Sequence, residues 1–177
     1  MVVKIQLVVI QIRQPLNLII KMVKRSIFIL FITLLTLASC DRSGVYDNYI
    51  TMPDAGWSKD SMAVFRVKIK DVDKHYNLEV NVRNQGNYEN SNLWLFIDVI
   101  GPNGKTERDS IDCILADQSG KWKGTGWGNY YQLTIPFKRG VKFPEKGEYT
   151  FMFIHGMRAD KVSGIRDIGL RVEKANF

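Results

Sequence analysis

Beyond residue 60 the chain alternates. Phe65, Val67 and Ile69 interleave with Arg66, Lys68 and Lys70, and Tyr76, Leu78, Val80 and Val82 with Asn77, Glu79, Asn81 and Arg83. The same two-residue period returns in Tyr149, Phe151 and Phe153 against Thr150 and Met152, and in Ile168, Leu170 and Val172 against Gly169, Arg171 and Glu173. Successive side chains of a strand point to opposite faces, so each run predicts a strand with one buried and one wet face. Residues 93–100 are apolar on both sides apart from Asp98 and predict a central strand covered on both faces. Residues 130–135, ended by Pro136, predict another. Turn formers separate the runs: Asp71 with Asp73, Asn84 with Gly86, Gly101-Pro102-Asn103-Gly104, Arg139-Gly140 and Lys146-Gly147. No long stretch carries an apolar face at helical period between caps. The pattern predicts one all-β domain, a single antiparallel β-sandwich of Ig-like or jelly-roll-like type.

The first 39 residues follow another logic. Lys24 and Arg25 precede a largely apolar run over residues 27–37, which closes on Leu37-Ala38-Ser39-Cys40. A positive start, an apolar middle and small residues before a cut describe an export signal. The run is shorter than the roughly 20 apolar residues needed to span a bilayer. Leu37-Ala38-Ser39-Cys40 resembles the lipobox of bacterial lipoproteins. That resemblance implies cleavage before Cys40 and fatty acylation, palmitate included, of its thiol and new amino group. The expected organisation is a cleaved signal peptide or leader over 1–39, a lipid anchor and tether over 40–48, and the sandwich over 49–177. Residues 1–21, apolar but broken by Arg13 and Pro15, suggest a start placed too early, with Met22 as initiator.

This division changes what the composition means. The 177 residues carry a formal net charge of +7, which would raise nucleic acid as a partner. The leader holds Lys4, Arg13, Lys21, Lys24 and Arg25 and no acidic residue, so the remaining 138 residues carry only +2. A nucleic-acid face loses its support. With Cys40 acylated, Cys113 is the one thiol left, and it is expected to be a structural, half-buried side chain. His75 and His155 have no partner at metal-binding or catalytic spacing, so no metal and no cofactor is expected, and no enzyme. Glu107, Asp109, Asp112 and Asp117 lack the glycine and terminal glutamate of a calcium loop and are expected at a solvated strand–loop junction.

The most unusual segment is Ser119-Gly120-Lys121-Trp122-Lys123-Gly124-Thr125-Gly126-Trp127-Gly128. Alternating glycines allow close backbone approach or a positive φ, and tryptophans offer flat apolar area. Two readings stand: Trp122 and Trp127 cap the end of the core, or they stack on sugar rings in a carbohydrate- or peptidoglycan-binding module.

The order of motifs resembles the gliding-motility lipoprotein family GldH of the Bacteroidetes. Its most specific parts here are Leu115-Ala116-Asp117, then Gly120, Trp122 and Gly124, and Met157-Arg158 followed by Gly164-Ile165, Asp167-Ile168-Gly169-Leu170. The resemblance implies a non-enzymatic envelope protein acting with other gliding lipoproteins and the type IX secretion machinery. Trp122, Trp127, Met157, Arg158 and Asp167 form the expected partner surface, with Arg158 and Arg166 available to carboxylates or Arg158 paired with Asp167. Bacteroidetes lipoproteins bound for the cell surface resemble one another in an acidic cluster after the cysteine; Asp41-Arg42-Ser43-Gly44 lacks it, and that comparison implies an outer-membrane, lipid-anchored protein facing the periplasm.

Overall fold

The computed structural model describes residues 23–26, which form one helical turn, and residues 44–175; of Trp127 only the backbone is described. The signal-peptide cut and Cys40 lie outside the described residues.

Eleven strands follow in order: β1 (Gly44–Thr51), β2 (Trp57–Ser58), β3 (Ala63–Ile69), β4 (Tyr76–Gln85), β5 (Asn92–Ile100), β6 (Thr106–Ile114), β7 (Thr125–Trp127), β8 (Tyr130–Val141), β9 (Gly147–His155), β10 (Lys161–Val162) and β11 (Ile165–Lys174). They build a five-stranded sheet ordered β1-β11-β4-β8-β7, a four-stranded sheet ordered β3-β9-β5-β6, and a two-stranded ribbon of β2 and β10. Among the described residues every strand pairing is antiparallel. Leaving out the three short strands, successive long strands fill the two sheets in the pattern of a jelly roll. The expected β-sandwich is therefore present, in its jelly-roll form.

The alternating positions supply the core. Phe65 and Val67 of β3, Val80 and Val82 of β4, Leu95 and Ile97 of β5, Phe151 and Phe153 of β9, and Leu170 and Val172 of β11 are all buried between the sheets. Burying each such side chain contributes about 1.5–3 kcal/mol. Aromatic edges interlock within the core: Phe65 meets Phe153 of the neighbouring strand with centroids 5.0 Å apart, and Tyr46 of the other sheet meets Phe65 across the gap at 6.5 Å.

Four expectations change. Residues 44–48, read as tether, are the first part of β1; Gly44 pairs with Glu173 and the strand runs on to Thr51 opposite Asp167. A bulge after Gly44 and the adjacent polar Asp47 and Asn48 hide its alternation. β8 does not stop at Pro136 but continues to Val141. β7 covers only its first three residues, so Pro136 sits where β8 has become an edge, beside an irregularity in its register with β4, the kind of position where a missing N–H is tolerated. Glu107, Asp109 and Asp112 belong to a full strand, β6, rather than a junction, and charge on that edge discourages pairing with other chains, whereas Asp117 does sit in the exposed turn after it. Finally, β5 is central within its sheet yet covered on one face only: Trp94 and Phe96 are each 42% exposed.

Candidate functional site

The turns fall at two ends. Register places Thr51, Asp167, Arg83 and Gln132 at one level, at the opposite end of β1 from Gly44. Seven residue steps of strand separate the two ends of β1, about 23 Å at 3.3 Å per residue. The turns joining β4 to β5, β6 to β7 and β9 to β11 lie at this far end, so the two sequence segments singled out above converge there.

Their residues do not form one surface. Trp122 is half-buried, bridged through its backbone to Ala116, with its ring against Tyr88 at 6.3 Å and Tyr131 at 5.8 Å. It caps the core end rather than standing free. Trp127 lies in β7 opposite Tyr130. The glycines around them do permit close approach: a Cβ on Gly124 would lie 2.6 Å from the Gln132 carbonyl oxygen, and one on Gly126 2.9 Å from the Tyr131 ring. The loop is thereby laid against β8.

Met157 and Arg158 go to the other flank. The Met157 Sδ accepts the backbone N–H of Trp94 at 3.3 Å, and both residues line a groove of about 720 Å³ with Asn90, Asn92 and Lys161. The Arg158 side chain is exposed, and its carbonyl accepts Lys59 Nζ at 3.0 Å. Asp167 is not paired with Arg158. It sits on the outer face of the five-stranded sheet, 5% exposed, accepting from Thr51 Oγ1 at 2.6 Å and from Arg83 Nη1 at 2.7 Å. Arg166 pairs with Asp54 at 2.8 Å.

The two outer faces differ in chemistry. On the five-stranded sheet a polar network runs from strand to strand. Arg83 Nη2 donates to Gln132 Oε1 at 2.9 Å, Gln132 Nε2 to the Tyr49 hydroxyl at 3.2 Å, and Thr134 Oγ1 to Asn81 Oδ1 at 2.6 Å. The Arg83 guanidinium also lies 5.6 Å from the Tyr49 ring centroid. Burial first, then the Asp47 charge, pushes the Tyr49 hydroxyl above its ordinary pKa, so it stays a neutral donor–acceptor.

On the four-stranded sheet the outer face carries an apolar stripe. Trp94, Phe96 and Ile114 stand beside half-buried Val64, Met152 and Ile154. Phe96 leans over Gly156, where a Cβ would approach its ring to 2.9 Å. The stripe ends at Asp98, which is 7% exposed and held bidentately by Arg108, Nη2 to Oδ2 at 2.6 Å. Those hydrogen bonds draw its carboxyl below the usual aspartate range. Trp94 and Phe96 escaped sequence reasoning because they alternate with Leu93, Leu95 and Ile97, so the run looked buried throughout. The available signal was the partner strand: Arg108, Ser110 and Asp112 are the residues opposite Asp98, Phe96 and Trp94.

Cys113 and His155, the described thiol and the more buried histidine, both lie in the core. Cys113 is fully buried, and burial followed by the Asp112 charge pushes its thiol up to about 12. His155 is 1% exposed beneath Trp57, and neither ring nitrogen has a hydrogen-bond partner. Among the described residues no group of three or more His, Cys, Asp or Glu could hold a metal ion. No described helix is long and apolar enough to cross a membrane.

Similar folds include a carbohydrate-binding module specific for non-crystalline cellulose, matched over 78% of each chain at 7% identity and a TM-score of 0.42, which says nothing about function. Sequence comparison reaches further. A gliding motility lipoprotein GldH homolog of Christiangramia forsetii is 34% identical over 85% of this chain and 96% of its own. The gliding motility lipoprotein GldH of Flavobacterium johnsoniae is 33% identical over 82% of this chain and 94% of its own. The family described as GldH lipoprotein matches residues 44–172, from the first strand into the last. By that span and those identities, the chain belongs to the GldH lipoprotein family.

Proposed function

We propose that this lipoprotein is anchored in the outer membrane through acylated Cys40, faces the periplasm, and serves the gliding apparatus without catalysis. It acts by contact with other gliding lipoproteins and components of the type IX secretion machinery. The observation that carries the contact reading is the apolar stripe on the outer face of the four-stranded sheet, where Trp94 and Phe96 remain 42% exposed. A contiguous apolar patch on a folded surface marks an interaction site, and aromatic residues dominate such contacts. The groove beside Trp94, with Met157 and Arg158, extends that face toward the end of the sandwich remote from Gly44. A lipid on Cys40 is at most about 14 Å of extended chain from Gly44. The membrane would then lie at the Gly44 end and the groove at the reachable end.

The test is crosslinking in cells through a tagged copy, comparing wild type with Trp94→Ala/Phe96→Ala. The expected result is loss of crosslinks to gliding lipoproteins or secretion components, with impaired spreading and a nearly unchanged melting temperature. Undiminished crosslinks would remove this face from the mechanism. Retention of Cys40→Ala in the membrane fraction would overturn the anchor, and digestion by protease added to intact cells would overturn the periplasmic orientation.

A further inference from the structure

We infer that the outer face of the five-stranded sheet carries a second, unrelated site: a binding groove for a saccharide bearing a carboxylate, of the uronic-acid type. The groove is open, about 860 Å³, and lies at the end of the sheet away from Gly44. Its volume is within the range of small-molecule sites.

Three elements bring one cation each to it: Arg83 from β4, Lys123 from the glycine-rich loop, and Arg166 from β11. Arg83 is held in place before any ligand arrives. Asp167 fixes one end of its fork, Gln132 the other, and Tyr49 flanks it. Its side chain is still 37% exposed. A guanidinium offers five N–H donors, and these two bonds use two of them, leaving others for a ligand. Lys123 and Thr125 are positioned by the loop glycine between them, whose Cα hydrogen points at the β8 backbone where any side chain would collide. Arg166 is paired only with Asp54, whose side chain is 93% exposed. A ligand carboxylate can take the place of so weak a surface partner at little cost.

The charge balance selects the ligand. Three cations face two carboxylates, Asp167 and Asp54, which leaves one unit of positive charge. That suits a monoanionic carboxylate better than a phosphate dianion. The rest of the lining suits a sugar ring: Thr125, Gln132 and Thr134 present hydroxyl and amide groups, and Tyr130, 39% exposed, presents an aromatic ring. Saccharide rings have hydroxyl edges and apolar faces, and this lining offers a match to each. None of these residues lies on the apolar stripe, so the two surfaces can succeed or fail separately.

Calorimetric titration of the mature lipoprotein in a polyoxyethylene detergent tests the site, with trigalacturonate as the probe and maltotriose and inorganic phosphate in parallel. Trigalacturonate should bind, and maltotriose should bind at least about tenfold more weakly. Lys123→Gln/Arg166→Gln should weaken trigalacturonate at least about tenfold with an unchanged melting temperature, because both side chains are on the surface. Absence of trigalacturonate binding, equal affinity for maltotriose, or equal affinity in the double variant would each overturn the inference. Phosphate binding as tight as trigalacturonate would reduce the groove to a simple anion site and overturn the saccharide assignment.

Discussion

His155 gives the fold a built-in acid sensitivity. Its imidazole is 1% exposed, edge-on to Trp57 with centroids 5.4 Å apart, and no hydrogen bond reaches either nitrogen. Burial is the main reason its pKa falls below the ordinary 6.5; the nearby backbones of Trp57 and Asp160 offset this in part, while the Lys59 charge adds to it. In the unfolded chain the same ring titrates near 6.5. Below that pH the unfolded state binds a proton that the folded state refuses, so stability is complete above about pH 6.5 and falls as the pH drops toward the folded-state pKa. A ring that stayed neutral throughout would lose about 1.4 kcal/mol between pH 7.5 and 5.5, which is the ceiling on the effect. The measurement is urea unfolding of wild type and His155→Leu at both pH values. The difference between the two proteins, rather than either alone, isolates this residue from His75 and the carboxylates. Wild type should lose up to that amount relative to the variant. A difference that stays constant with pH to within about 0.3 kcal/mol would refute the reasoning, because it would mean the folded state accepts the proton as readily as the unfolded chain.

Two further outcomes follow from local geometry. Cys113, buried and with its thiol pushed up to about 12, should resist iodoacetamide at pH 8 in the native protein and react at once in urea, as mass spectrometry would show. Gly124→Ala should lower stability by about 1–3 kcal/mol, because its Cβ meets backbone atoms of Gln132 that cannot swing aside. Gly104→Ala, whose Cβ would meet nothing and whose cost is only its φ of +79°, should lose about 1 kcal/mol in the same denaturation assay.

Much of the fold was legible wherever one face is core and the other water. β3, β4, β9 and β11 have that alternation written in their residues, and the expected strands fall on them. β6 was not legible because an edge strand buries little and its charges obscure the alternation. β5 misled in the opposite sense: sequence alone cannot distinguish an apolar face covered by a second sheet from one held open. The glycine-rich loop was expected to use close approach or positive φ, and it uses both: Gly124 and Gly126 press on β8 while Gly120 and Gly128 take positive φ. The Arg83–Asp167 pair was out of reach. Its members are 84 residues apart in sequence and meet only because β11 inserts beside β4.

That insertion has a temporal meaning. β11 is the last of the described strands, yet it lies between β1, the first of them, and β4. Until it arrives, β1 has no hydrogen-bonded neighbour and the five-stranded sheet has a gap in its middle. Closure joins segments separated by most of the chain, and contacts between such distant segments form slowly. The five-stranded sheet therefore stays open until β11 slots between its neighbours, and that one strand acts as the latch of the sandwich.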